Sequence, residues 1–140
     1  MTHDEIDTMA AGLEMDVAVA RAMGCDVRPT PQGWSPRGFY CACDHPNFEQ
    51  PPHGVEPDWD CDPYLKPYST DIAAAWEVVE KMNADYDVMV RQQRFKPDVW
   101  ECYIVRNGPL GPYDRDFWEG RAATAPLAIC HAALKVVTNA

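Results

Sequence analysis

Two amphipathic helical stretches bracket a pair of alternating stretches, and this order restricts the chain to folds in which helices lie on an antiparallel sheet. In the first helical stretch Ser69 stands as N-cap and Asp71 sits in the opening turn. Ile72, Ala75, Trp76, Val79 and Met82 then form one apolar stripe at helical spacing. The last stretch opens with Thr124 as cap and Pro126 in its first turn, and carries Leu127, Cys130, Leu134 and Val137 inward. Between them, Tyr86, Val88 and Val90 alternate with polar or flexible residues, and Trp100, Cys102 and Ile104 do the same. A turn containing Lys96, Pro97 and Asp98 joins the two into a β-hairpin expected at the middle of the sheet.

The N-terminal part adds helix. Thr2 with Glu5 makes a capping box, followed by Ile6, Met9, Ala10 and Leu13 at helical spacing. Gly12 divides this region into a short first turn and a second helix from Leu13 to Met23, which Gly24 stops; Cys25 to Arg28 alternates as a short strand. From Pro29 to Pro67 neither period holds, and most of the prolines lie there among Trp34, Phe39, Tyr40, Phe48, Trp59 and Tyr64. Residues 107–123 also read as loop, rich in Gly, Pro and charge. The 140 residues suffice for one core. The expected fold is α+β: a small, mainly antiparallel sheet covered by helices, a helix/sheet/helix sandwich, in a single domain whose residues 29–67 form an irregular Cys-, Pro- and aromatic-rich insertion.

A net charge of -10 opposes binding to duplex DNA or to an anionic membrane through a broad basic face. The acidic start, Met1 to Glu5, lacks the pattern of a signal peptide, and no apolar run approaches the roughly 20 residues of a membrane span. The expected location is therefore the cytoplasm, in which the six cysteines stay reduced. Cys41, Cys43, His45 and Cys61, with His53 nearby, offer thiolate and imidazole ligands that would tether the insertion around a structural zinc ion. Their spacing is not the paired Cys-x-x-Cys knuckle, so reduced cysteines beside buried aromatics are the competing reading. Metal-assisted hydrolysis would add an open coordination position and a base such as Asp44 or Glu49, and no ordered motif supplies them. Cys130 and His131 are adjacent on a helix and point about 100 degrees apart, which prevents a direct nucleophile–base pair. Cys130 belongs to the apolar stripe, and His131 is expected at the surface.

The run Pro67-Tyr68-Ser69-Thr70-Asp71-Ile72-Ala73-Ala74-Ala75-Trp76-Glu77-Val78-Val79-Glu80-Lys81-Met82 and the run from Thr124 to Lys135 resemble the phage ABA sandwich domain family. The stretch from Gly12 to Gly24 is similar to that family's opening helix. The resemblance implies a small phage or prophage protein with helices over a sheet, and it brings no catalytic residues with it. Residues 29–66 depart from it.

Helix N-termini attract anions, so Ser69-Thr70 and Thr124 are candidate cradles for phosphate or carboxylate. Arg91, Arg94, Lys96, Arg106 and Arg121 would supply positive charge, and Trp100, Tyr103, Tyr113, Phe117 and Trp118 would stack a base. Simple capping and core packing are the competing roles of these residues. Together these features point to a non-catalytic phage accessory protein that binds or sequesters a small nucleotide-type immune signal and so acts against host defence. A site shared between subunits of a homo-oligomer would suit such a function. The alternative is an acidic protein-interaction module that inhibits a host enzyme or mimics nucleic acid, with a host defence protein as partner, using Asp58, Asp60 and Asp62 interleaved with Trp59 and Tyr64.

Overall fold

The structure, a computed structural model, describes residues 1–30, 37–42, 65–106 and 116–138. In chain order the elements are α1 (His3–Thr8), α2 (Leu13–Ala22), β1 (Val27–Pro29), β2 (Phe39–Cys41), α3 (Ile72–Met82), β3 (Tyr86–Gln93), β4 (Lys96–Arg106), β5 (Phe117–Ala122) and α4 (Ala125–Thr138). All strand pairing is antiparallel: β1 pairs with β2, and β3, β4 and β5 form a second sheet in that order. The fold is α+β, with small antiparallel sheets packed against helices. Among the described residues no helix is long and apolar enough to cross a membrane.

The hairpin lies where its alternation placed it, with Val90 opposite Cys102 and Val88 opposite Ile104. Its turn is Arg94-Phe95 rather than Lys96 to Asp98, because β4 already begins at Lys96. Two strands occupy segments expected to be irregular. Within the Pro-rich insertion, β2 pairs with β1; near the end of the 107–123 stretch, β5 pairs with β4. The alternation in β5 is hidden because its inward residues are Trp118, Gly120 and Ala122, two of them too small to register as apolar. Gly120 is small for a reason. A β-carbon there would lie 2.6 Å from the Ala132 nitrogen and closer still to the Ala128 carbonyl oxygen, both in α4.

That close approach seats α4 across β5, and the helix is buried on nearly every side. Its residues from Ala128 to Val136 are all buried. A single inward stripe was expected here, with Val137 in it and His131 at the surface; instead Val137 is 42% exposed and His131 only 2%. The sheet lies on one side of α4, and α1, α2 and α3 pack on it from elsewhere. A helix enclosed in this way has no solvent face for polar side chains, so its polar groups must find partners inside. The His131 ring lies between two carbonyl oxygens, Nδ1 3.3 Å from that of Arg121 and Nε2 2.9 Å from that of Met9. One turn later, Lys135 donates to the Glu119 carbonyl at 2.8 Å and pairs with the Asp7 carboxylate at 2.6 Å.

The α3 helix faces another helix, and this turns its stripe. Ala74, Ala75, Val78, Val79 and Met82 are buried, whereas Ile72 and Trp76, both expected inside, are 52% and 48% exposed. Small side chains at the contact let two helix axes approach, and bulky Trp76 is displaced outward. The N-cap is Asp71 and not Ser69: the Asp71 carboxylate accepts from the Ala73 and Ala74 N–H groups at 2.8 and 3.0 Å. The capping box of α1 forms as expected from Thr2 and Glu5, and Gly12 separates α1 from α2.

Gly120→Ala tests the α4 seat. Both clashing atoms are helix backbone and cannot rotate away, so overpacking should cost about 3 kcal/mol or more. Chemical denaturation should show the loss, and an Ala variant as stable as the parent would mean that α4 does not rest on β5 as described.

Candidate functional site

A cleft of about 470 Å³ opens where α1, β5 and α4 meet. Phe117, Trp118, Glu119 and Arg121 line it from β5, His3 and Asp7 from α1, and Lys135 from α4. Strand alternation puts Phe117, Glu119 and Arg121 on the sheet face away from α4, while the short α1 packs on α4 and lines the cleft from the far side. Phe117 is 62% exposed. The cations are countered locally, Lys135 by Asp7 and Arg121 by Glu119. His3 Nε2 is buried without a hydrogen-bond partner among the described residues. A smaller cavity of about 190 Å³, lined by Arg106, Asp116, Phe117 and Trp118, adjoins the cleft through its two shared aromatics.

On the same face a charged row crosses the three strands. Arg91, Glu101 and Arg121 stand side by side in register. Glu101 Oε2 accepts from Arg91 Nε at 3.0 Å, and Glu101 Oε1 lies 3.6 Å from Arg121 Nε. Both arginines are more than half exposed, and the carboxylate is shielded by these neighbours rather than by depth in the core. The Arg91 guanidinium also lies 5.2 Å from the Tyr103 ring centre. Hydrogen bonding from Arg91 holds the Glu101 carboxyl below its usual value near 4.5.

The predicted site residues separate into three groups. Arg106, Trp118 and Arg121 come together around Phe117, and Arg91 joins Arg121 through Glu101. Of these, Trp118 is mostly core: it is 6% exposed, meets Tyr86 edge-on at 5.9 Å, and has the Arg106 guanidinium 5.7 Å away. Trp100 packs against the core on the α4 face, and Arg94 sits at the hairpin turn over Phe95. Ser69, Thr70 and Thr124 line neither cavity.

At Ser69 the cradle exists, but the chain fills it. The Ser69 N–H donates to the fully buried Asp16 carboxylate at 2.6 Å, its hydroxyl accepts from the Gly12 N–H at 2.9 Å, and Arg37 pairs with Asp16 from the other side. Thr70 and Thr124 are exposed, and the Thr124 carbonyl accepts from the Ala128 N–H at 3.1 Å. His3, Asp7 and Lys135 were not anticipated as lining residues. Helical spacing treats each as solvated surface, and only the β5 edge brings them together.

Of the proposed metal ligands, Cys41 is described and is partly buried at the end of β2, opposite Val27. Cys43, His45 and Cys61 lie outside the described residues, as do His53, Asp44, Glu49, Tyr113 and the acidic run from Asp58 to Tyr64. Among the described residues no three His, Cys, Asp or Glu side chains gather closely enough to hold a metal ion. Burial pushes the Cys102 thiol up to about 12 and raises that of Cys130 as well.

A sheet resting on an enclosed helix, with the carbonyls of one strand edge met by that helix's own side chains, defines a sandwich-type α+β domain. The profile of the phage ABA sandwich domain matches residues 19–134, and the chain belongs to that family. The matched region begins inside α2 and runs on through the insertion. A crystal structure described as a phage protein from Bacillus cereus ATCC 14579 is 22% identical and superposes with a TM-score of 0.51 over 95% of this chain and 91% of that one. It shares the fold. No curated protein matches the chain.

Two outcomes follow from the charged row and the thiols. Because the Glu101 carboxyl titrates lower in the folded chain than in the unfolded one, its contribution is complete above its usual value near 4.5 and disappears as pH falls through the lowered value. Glu101→Gln should therefore flatten the acid limb of the stability curve while leaving its neutral slope unchanged; an unaltered acid limb would contradict the pairing. Iodoacetamide at pH 8 should leave Cys102 and Cys130 unmodified in the folded protein and reach them only after denaturation, as peptide mapping would reveal.

Proposed function

We propose that this phage ABA sandwich protein is a non-catalytic accessory protein whose cleft between α1, β5 and α4 holds a small anionic ligand with an aromatic base, of the nucleotide type. Sequestering such a signal would act against host antiviral defence. The observation that carries the reading is the composition of the cleft: exposed Phe117 beside Arg121 and Lys135, in a volume of about 470 Å³, within a chain of net charge -10. Ligand sites commonly occupy about 300 to 1,000 Å³ and combine apolar surface with a few polar groups. Phe117 offers a stacking face, and the two cations offer donors to phosphate. The excess negative charge elsewhere repels polymeric nucleic acid while leaving room for one or two phosphates. Origin in a phage family supports the choice of a host signal as cargo.

A second reading, a module that docks on a host protein, is favoured by Ile72 and Trp76, one helical turn apart and both about half exposed on α3. Thermal unfolding in the presence of mono-, di- and cyclic nucleotides separates the two readings. A ligand at a hundred times its dissociation constant should add about 2.7 kcal/mol. Phe117→Ala and Arg121→Gln should remove that gain. Failure of every nucleotide to shift unfolding, with a host protein retained by the parent and released by Trp76→Ala, would replace the first reading by the second.

A further inference from the structure

The two outer edges of the three-stranded sheet differ. On β5 the edge is occupied: the Glu119 carbonyl accepts from Lys135, and the Arg121 carbonyl lies 3.3 Å from His131 Nδ1. On β3, among the described residues, nothing pairs with the outer edge. The direction of its polar groups follows from the register. The Arg106 N–H donates to the Asp116 carbonyl at 3.1 Å, so the even-numbered residues of β4 bond toward β5 and the odd-numbered ones toward β3. The odd residues of β4 pair with Asp87, Met89 and Arg91. The N–H and C=O groups of Tyr86, Val88, Val90 and Gln92 therefore point outward.

We infer that the β3 edge is a self-recognition surface, where a second copy of this chain adds its own β3 antiparallel about a two-fold axis through Met89. In that register Val88 faces Val90 of the other copy and Tyr86 faces Gln92, and these are the residues whose backbone groups are directed outward. On the face away from α4, Met89, which is 51% exposed, meets its symmetry mate, and Asp87 falls opposite Arg91 on either side of the axis. Charges on an edge strand ordinarily deter pairing with foreign strands. Here their signs are opposite and their distances from Met89 equal, so they mismatch most strands and match a two-fold copy, as an isologous contact requires. The result is a six-stranded sheet with both α4 helices on one face, and each β5 cleft at an outer end.

Met89 tests this without touching the core. Directly opposed residues at such a position have α-carbons about 4.5 Å apart, so like charges there repel strongly. Sedimentation velocity should show the parent passing from monomer to dimer as concentration rises. Met89→Glu and Met89→Lys should each stay monomeric, and an equimolar mixture of the two should dimerise again, which a folding defect could not produce. The amides of Val88 and Val90 should gain hydrogen-exchange protection with parent concentration. A parent that stays monomeric up to about 1 mM, edge amides protected equally at every concentration, or single variants that dimerise like the parent would each overturn the proposal.

Discussion

The structure depends on the contact between α4 and β5. Gly120 removes the side chain that would hold the two apart, and the resulting proximity encloses α4 between the sheet and the other helices. Once enclosed, the helix must satisfy two polar side chains from within, and the carbonyls on the outer edge of β5 meet that need. His131 and Lys135 lie one turn apart in α4, and their strand partners Arg121 and Glu119 lie two residues apart in β5, in reversed order. The same side chains reach Met9 and Asp7, so α1 is attached to the strand edge by the groups that close it. One glycine thus determines how the sheet edge is protected and where the cleft opens.

Internal electrostatics leave no room for an external anion at the start of α3. Asp71 occupies the first amides of α3, and Asp16, held by Ser69 and Arg37, occupies the turn before it. A buried carboxylate with both a backbone donor and an arginine offsets part of its desolvation, although such pairs serve specificity as much as stability. Here the pair fixes α2 against the start of α3 across more than fifty residues of sequence. An external anion at that turn would have to displace two of the chain's own carboxylates. At the β5 edge Arg121 faces solvent, Lys135 is buried, and their counter-charges Glu119 and Asp7 are partly exposed.

How much was legible beforehand follows from the range of each signal. Capping at Thr2, division at Gly12, the hairpin alternation and the two long helices are local patterns, and all of them appear in the fold. Errors arise where a partner decides the outcome. Trp76 points outward because α3 packs chiefly on a helix, His131 points inward because α4 is enclosed, and β5 was missed because its inward positions are small to admit α4. The site follows the same division. Arg106, Trp118 and Arg121 stood among the candidate residues by charge or aromaticity, whereas His3, Asp7 and Lys135 acquire a role only through contacts between the chain's two ends.

The two walls of the cleft are held with unequal strength. Its β5 and α4 side belongs to the enclosed core, while α1 is six residues long and contributes one buried side chain, Ile6, besides the contacts of Asp7 and Met9. An isolated helix of that length is not stable in water, so its seat is maintained by those tertiary contacts. Segments with few buried contacts open at lower free energy than the rest of a fold. On the proposed function Lys135 would be shared between structure and recognition: an anion accepting a hydrogen bond from its ammonium group would compete with Asp7, and occupancy of the cleft would be coupled to the position of α1. The coupling is limited by the difference in ligand affinity between the seated and released arrangements. Because the ligand and Asp7 would compete for the same ammonium group, the coupling would favour the released arrangement of α1.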